Sequence, residues 1–173
     1  MKLMTQLTQE IKQLEKADYC WLSATKLATI QQLMITHPDG LRDRKSALHL
    51  SASAMVFDRF KGIFIRHPYL HTILLPAGHV EPGELPIVCA VREFHEETGL
   101  MVQAGTGQLI DVNLIQIPAN PIKHEGQHQH VDFRYYFMLE SQLQNSAELP
   151  VFRLEQKRAP EEFQAYFDLK LNS

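Results

Sequence analysis

The sequence predicts an α/β protein: a mixed sheet held between helical layers in a three-layer α/β/α sandwich, with an α-helical hairpin at its N-terminus. Three observations lead there. Strand-like runs begin near Leu48 and are interrupted by one strongly helical stretch between Pro86 and Gly99, and strands interleaved with helices form a sheet between helix layers. Residues 1–45 instead carry apolar positions at steps of three and four, the spacing of amphipathic helices. Near the end, PEEFQAYFDL (160–169) reads as helix again: proline opens it, acids fill its first turn, and Phe163, Tyr166 and Phe167 point inward. At 173 residues the chain is the size of one domain with a small appendage. The division expected is 1–45 as a helical extension and 46–173 as the main domain.

In order along the chain, Met4, Leu7, Ile11, Leu14, Ala17 and Trp21 predict a first helix over residues 3–18. Ser23 is a candidate cap for a second, with Leu27, Ile30, Leu33 and Met34 on its buried side. HPDG (37–40) spells the turn that ends it. The hairpin reads first as a lid or brace on the main domain and second as a homodimer surface, because its stripe is shorter than the roughly three to four heptads a coiled coil needs. SASAMVFD (51–58) and GIFIRH (62–67) look like two strands joined by a short turn, and HTILLP (71–76) is a third apolar run. A loop and a helix follow. GQLIDVNLIQIP (107–118) and HVDFRYYFML (130–139) are further strands, linked by a long polar connection, PANPIKHEGQHQ (118–129). Residues 150–158 offer one more.

Composition narrows the partners. A net charge of -3 and a pI near 6.3 do not predict nucleic-acid binding, so an anionic substrate needs local help from a metal or placed arginines. Two cysteines, Cys20 and Cys89, form no disulfide framework and point to a reducing cytoplasm, with Cys89 a small buried hydrophobe. No apolar run reaches the roughly 18 residues of a membrane span, and the polar, periodic N-terminus is unlike a signal peptide.

The chemistry concentrates in GHVEPGELPIVCAVREFHEETGL, residues 78–100. Pro86 suits a first helical turn and Gly99 a helix end. Ile87, Ala90, Val91 and Phe94 share one helix face, while Glu93, Glu96 and Glu97 share another at i, i+3 and i+4. Like charges there repel, and the macrodipole at a helix C-terminus disfavours them further. A divalent cation reverses the sign of both problems, since Mg²⁺ prefers one or two carboxylates together with substrate phosphates. The bland alternative is a solvated acidic helix end with Arg92 paired to Glu96. The preceding loop favours the cation: Gly78 and Gly83 let backbone approach a ligand, and Glu84 stands at the helix entrance.

This stretch resembles the Nudix box in Gly78, Glu84, Arg92, Glu93, Phe94, Glu96, Glu97, Gly99 and Leu100. Phe94 replaces a usual aliphatic residue on the core face, which bears on packing rather than chemistry. The resemblance implies a Nudix-type hydrolase that binds Mg²⁺ or Mn²⁺ and cleaves the diphosphate linkage of a nucleoside diphosphate derivative. It implies that Glu93, Glu96 and Glu97 are metal ligands with the Gly78 carbonyl, and that Arg92 and Glu84 orient the glutamates and the loop. Glu96 or Glu93 could take the proton, but family members differ and some use a residue outside the box, so the base is left open. Nudix relatives often dimerise, so a homodimer stays open. Two rivals share the scaffold. An isopentenyl-diphosphate isomerase uses, in this family, a cysteine ahead of the box, whereas Cys89 is inside it. A non-catalytic nucleotide sensor usually loses box glutamates, and none is lost here.

A second constellation lies in HQHVDFRYYF (128–137), where His128, His130, Asp132 and Arg134 alternate with apolar residues and share a face. Three readings stand: substrate recognition through Arg134 and the histidines, a structural Asp132–Arg134 network, and a His-x-His metal site needing a third ligand. Some Nudix proteins with an N-terminal helical extension look similar here. Arg66 and His67 at a strand end, and His79 beside Gly78, are further substrate-binding candidates. His95 reads as a surface histidine. Asp111 and Asn113 face either the same cleft or a turn.

Overall fold

A computed structural model describes residues 3–119, 126–141 and 146–170, with the side chains of Ser141 and Lys170 not described. The 120–125 part of the polar connection therefore lies outside the described residues. Helix α1 spans Leu3–Leu14 and α2 Ala24–Thr36. Ser23 caps α2 by accepting from the Lys26 N–H at 3.2 Å. Strands β1 (Leu48–Asp58), β2 (Lys61–Arg66), β3 (Ile73–Leu74) and β4 (Ala77–His79) precede helix α3 (Pro86–Thr98). Then come β5 (Met101–Val102), β6 (Gln108–Ile117), β7 (His128–Ser141), β8 (Val151–Leu154) and a short α4 (Glu161–Gln164).

Strand β1 organises the sheet. It pairs in parallel with β7 along ten positions, Leu48↔Gln129 to Phe57↔Met138, and antiparallel with β4 and β2 on its other edge. β6 and β5 flank β7, while β3 and β8 flank β2, all antiparallel. The sheet is mixed, as predicted. β1 is buried on both faces, and alternation splits its side chains between two layers. Leu50, Ala52, Ala54 and Val56, with Val131, Phe133, Tyr135 and Phe137 of β7, form one core with α1, α2 and α3. On the opposite face Met55, Phe57 and Phe64 meet Phe163, Tyr166 and Phe167 of the C-terminal segment.

The hairpin is a brace. Leu7, Ile11, Leu14, Leu27, Ile30 and Met34 are buried in the same cluster as the sheet and α3. The α1 stripe that could have served a homodimer is thus turned into its own chain. Polar ties reinforce the packing: Lys26 Nζ donates to Asp111 Oδ1 at 2.7 Å and Asn113 Oδ1 at 3.1 Å, and the Trp21 indole donates to the Ile110 carbonyl at 2.9 Å. Asp111 and Asn113 hold the hairpin rather than a turn.

Two elements differ from expectation. The run at 71–76 yields only two strand residues, because His71 takes a left-handed φ of 54° and Pro76 has no N–H to give a ladder. The helix expected over 160–169 is α-helical only to Gln164 and continues as 3₁₀ turns. There the Gln156 side chain donates to the Gln164 carbonyl at 2.9 Å, taking an acceptor that a continuing helix would use.

Candidate active site

Helix α3 packs on the core face through Cys89, Ala90 and Phe94. Gly99, at φ 69°, closes it with its N–H on the His95 carbonyl at 2.8 Å. The loop before β8 seals the same end: Glu148 N–H donates to the Glu96 carbonyl and Leu149 N–H to the Glu97 carbonyl, each at 3.2 Å. Carbonyls otherwise left over at a helix end are thereby satisfied.

The acids sit where α3 faces β4. Gly78 pairs with Ala52, so its Cα points to the core face and to α3. A side chain there would collide with Glu93, whose carboxyl carbon lies 2.0 Å from where a Cβ would stand. Glycine at 78 is what admits Glu93 to the sheet. Glu97 is anchored by the Ala77 N–H, 3.0 Å from its Oε2, and Glu96 is exposed.

Arg92 and Glu84 form the frame. The Glu84 carboxylate receives Arg92 Nε at 2.9 Å and Nη2 at 3.0 Å, a two-pronged pair. It also accepts from the Glu81 N–H at 3.0 Å, which closes the box loop. With both oxygens engaged, Glu84 holds position. Arg92 Nη1 reaches Glu93 at 2.6 Å and Glu96 at 3.2 Å, and Nη2 donates to the His79 carbonyl at 3.2 Å. One guanidinium therefore sets two of the three acids and the loop. Buried Cys89 lies beneath, with its thiol 3.5 Å from the Gly78 carbonyl and 3.3 Å from that of His79. Burial, then the Glu84 and Glu93 charges, raise its pKa, so it stays a thiol.

Electrostatics distinguish the acids. Burial pushes Glu97 up to about 8 against its Ala77 hydrogen bond, and the charges of Glu93, Glu148 and Glu96 add to the rise. Burial also raises Glu93, against the pull of Arg92. Glu84 is lowered on balance: its burial is overcome by Arg92 and the Glu81 N–H. Carboxylates crowded into partial burial with raised pKa values, beside a backbone carbonyl, suit a hard divalent cation. By donor chemistry Glu93, Glu96, Glu97 and the Gly78 carbonyl are oxygens of the kind that ion takes, while among the described residues the group whose ligand atoms already converge is His49, His79, His128 and His130.

The segment before β1 contributes residues that sequence reasoning missed. Arg42 donates to the Glu84 carbonyl at 3.1 Å, and Arg44 pairs with Glu81. Arg44 also lies near enough to Glu93 to pull its pKa down. Their signal was only that two arginines stand in a loop. Arg66 ends β2 over the Phe152 ring, 5.4 Å from its centre, and its N–H donates to Pro150, next to the loop that caps α3.

The second constellation goes elsewhere. His130 pairs with His49, Asp132 with Ser51 and Arg134 with Ser53, all on the sheet face away from α3. This strip does not converge with the box acids. Asp132 and Arg134 are 2% and 5% exposed. Asp132 accepts from Ser51 at 3.0 Å, Ser53 at 2.7 Å and Arg134 at 3.4 Å. Arg134 donates to Tyr166 at 2.8 Å, and Tyr166 donates to Asp111 at 2.7 Å. For these two residues the geometry is a buried network joining β1, β7, β6 and the C-terminal segment. His128 and His130 instead meet His49 and His79. Burial, then the charges of His79, His49 and His128, lower His130 to about 3, so its ring is neutral near pH 7. His49 was not singled out in the sequence; a histidine inside the apolar β1 run was its only mark. A separate cleft of about 450 Å³ between α1 and β6 is lined by Glu10, Leu14, Ile87, Leu109 and Tyr135 among others and by none of Glu84, Glu93, Glu96 and Glu97.

Comparison with known proteins identifies the family. The family model for the NUDIX domain matches residues 47–170. A relative in Lactococcus lactis subsp. cremoris (strain MG1363), named "Probable DHNTP pyrophosphohydrolase", is 48% identical over 165 residues, 95% of this chain and 96% of the relative. Among solved structures, the dihydroneopterin triphosphate pyrophosphohydrolase of E. coli superposes with a TM-score of 0.53 at 18% identity, covering 75% of this chain and 98% of that one. A NUDIX-family hydrolase from Clostridium perfringens gives 0.52 at 22% identity, covering 72% and 96%. These two likenesses concern the fold. With the family match spanning most of the chain and a relative nearly half identical along its length, the chain belongs to the Nudix family and is a hydrolase acting on diphosphates.

Proposed function

We propose that this hydrolase releases pyrophosphate from dihydroneopterin triphosphate, leaving the monophosphate. The observation that carries this is the 48% identity, along 95% of the chain, to a relative named "Probable DHNTP pyrophosphohydrolase". Nudix hydrolases generally depend on a divalent metal. Here Mg²⁺ or Mn²⁺ would be held by Glu93, Glu96, Glu97 and the Gly78 carbonyl. When bound, the ion neutralises diphosphate oxygens and makes water more acidic.

The chain's own residues do the rest. Water adds to a phosphorus flanking the oxygen that bridges the α- and β-phosphates, and the bond from that phosphorus to the bridging oxygen breaks. Glu93 or Glu96 accepts the proton of the attacking water. Arg92 and Glu84 hold the acids in register through the two-pronged pair. Arg44, exposed and close to Glu93, is the cation best placed to meet a phosphate. Arg66 is a second candidate, at the rim formed by the loop before β8. His79 contributes its backbone to the loop. The two free thiols, one of them exposed, support a reducing, cytoplasmic setting.

The test is product analysis on dihydroneopterin triphosphate beside deoxynucleoside triphosphates and nucleotide sugars, with Mg²⁺, with Mn²⁺ and with a chelator. The expected result is pyrophosphate from the pterin substrate at a kcat/KM at least about tenfold above the others, lost on chelation. Glu96→Gln and Glu97→Gln should each lower kcat by about 10²-fold or more. Release of orthophosphate, a preference for nucleotide sugars, or activity that survives chelation would overturn the assignment.

A further inference from the structure

We propose that His49, His79, His128 and His130 form a structural binding site for an imidazole-preferring divalent transition metal, Zn²⁺ foremost, on the sheet face opposite the carboxylate helix. The four come from three adjacent strands. His49 stands on β1, with His130 beside it on β7 in register and His128 two residues earlier on the same face. His79 lies on β4, where it pairs with Ser51 and so shares that face. One ring nitrogen from each lies within 4.8 Å of all the others. The ring centres of His49 stand 4.9 Å, 4.9 Å and 4.5 Å from those of His79, His128 and His130.

The tautomers favour a cation at the centre. His49 Nδ1 lies 2.9 Å from the Ser46 carbonyl and His128 Nδ1 2.8 Å from the Gly126 carbonyl. A carbonyl only accepts, so each Nδ1 is the donor there and Nε2 is left as the nitrogen a metal would take. Such a backbone anchor on the far nitrogen is the usual support of a metal-bound histidine. The His128 and His130 Nε2 atoms approach to 3.1 Å, close to the roughly 3.3 Å between neighbouring ligands implied by zinc–nitrogen bonds of about 2.0–2.1 Å in a tetrahedron. Four nitrogen donors and no carboxylate suit Zn²⁺ and its neighbours and disfavour Mg²⁺, which takes oxygen. Four protein ligands make a closed site, whose role is to hold structure. The ion would clamp β4 to β1 and β7 and so fix the strand that carries Gly78.

The experiment uses the full chain without a histidine tag, purified in zinc-supplemented buffer and analysed for metal by mass spectrometry. The result expected is about one zinc per chain in the parent and in Glu93→Gln/Glu97→Gln. His128→Asn and His128→Asn/His130→Asn should bind zinc at least about 100-fold more weakly. Replacement by Co²⁺ should give the intense visible absorption of a tetrahedral ion in the parent and lose it in the double variant. His128 is only part-buried, so its single variant keeps the test alive if the double variant misfolds, with circular dichroism as the check. No zinc above background in the parent would overturn the proposal. So would zinc retained by the histidine variants or zinc lost only from the glutamate variants. Hydrolysis is not the readout, so failure here leaves the carboxylate reading standing, and the reverse also holds.

Discussion

Glu97→Gln should stabilise the metal-free protein while disabling it. The Glu97 carboxyl is pushed up to about 8, chiefly by burial, whereas in an unfolded chain it titrates near 4.3. Between those values the folded state holds a proton that the unfolded state has released, so stability falls as pH rises through the window. Each unit is worth about 1.4 kcal/mol, so the loss is on the order of 4 kcal/mol at pH 7 and 5 kcal/mol above pH 8. Glutamine abolishes this slope and can still accept from the Ala77 N–H, though its amide nitrogen needs a partner of its own. Allowing half the gain for that, and about 2–4 °C per kcal/mol in a chain of this size, Glu97→Gln should melt roughly 5–10 °C above the parent at pH 8.5 in chelator. Near pH 5 the two should converge. Saturating Mg²⁺ should restore the parent, by about 2.7 kcal/mol at a hundred times its dissociation constant. Melts of both proteins at pH 5, 7 and 8.5, with and without metal, decide the matter. A variant that melts at or below the parent at pH 8.5 in chelator, with an unchanged pH slope, refutes the reasoning.

Other outcomes follow from the same geometry. By calorimetric titration, Mg²⁺ affinity should rise by up to about tenfold per pH unit below pH 8 and level off above it, because the ion displaces the Glu97 proton. Gly78→Ala places a methyl on Glu93; it should cost about 1–3 kcal/mol in urea unfolding and weaken metal binding more than it weakens the fold. Arg92→Lys cannot make the two-pronged bond to Glu84, so kcat/KM should fall about 10- to 100-fold with the melting temperature little changed. Arg134→Met leaves Asp132 buried without its cation and should cost about 3–5 kcal/mol of stability, with KM of the folded enzyme within about twofold. A large rise in KM at unchanged stability would return Arg134 to the substrate.

The carboxylate helix is legible in the sequence because its signals are local. Pro86, Gly99, the apolar periodicity and the three acids all lie within one short stretch. The hairpin is legible for the same reason, through Ser23 and the two apolar stripes. What escapes is set by pairing between distant strands. That Gly78 lies in a strand follows only from Ala52 beside it; glycine next to a proline-containing loop carries no strand signal of its own. Alternation correctly puts His128, His130, Asp132 and Arg134 on one face, but which layer covers that face depends on Tyr166, more than thirty residues later. His49 is hidden by the apolar run around it, since its neighbours in space lie on β4 and β7. Asp111 shows an acid among apolar residues, and only the fold reveals Lys26 as its partner.

The hairpin has a consequence for where this protein can be cut. Homology to the NUDIX domain begins at residue 47, yet seven large apolar side chains before that point, Leu7 to Leu41, are at most 2% exposed. At roughly 1.5–3 kcal/mol each, their burial is on the order of 10–20 kcal/mol before entropy is counted, as much as the net stability of a typical domain. A fragment trimmed to the recognisable homologous segment would open a greasy trough over β6 and β7 and release the arginines that steady the box loop. The segment that the family model matches is smaller than the unit whose side chains pack together.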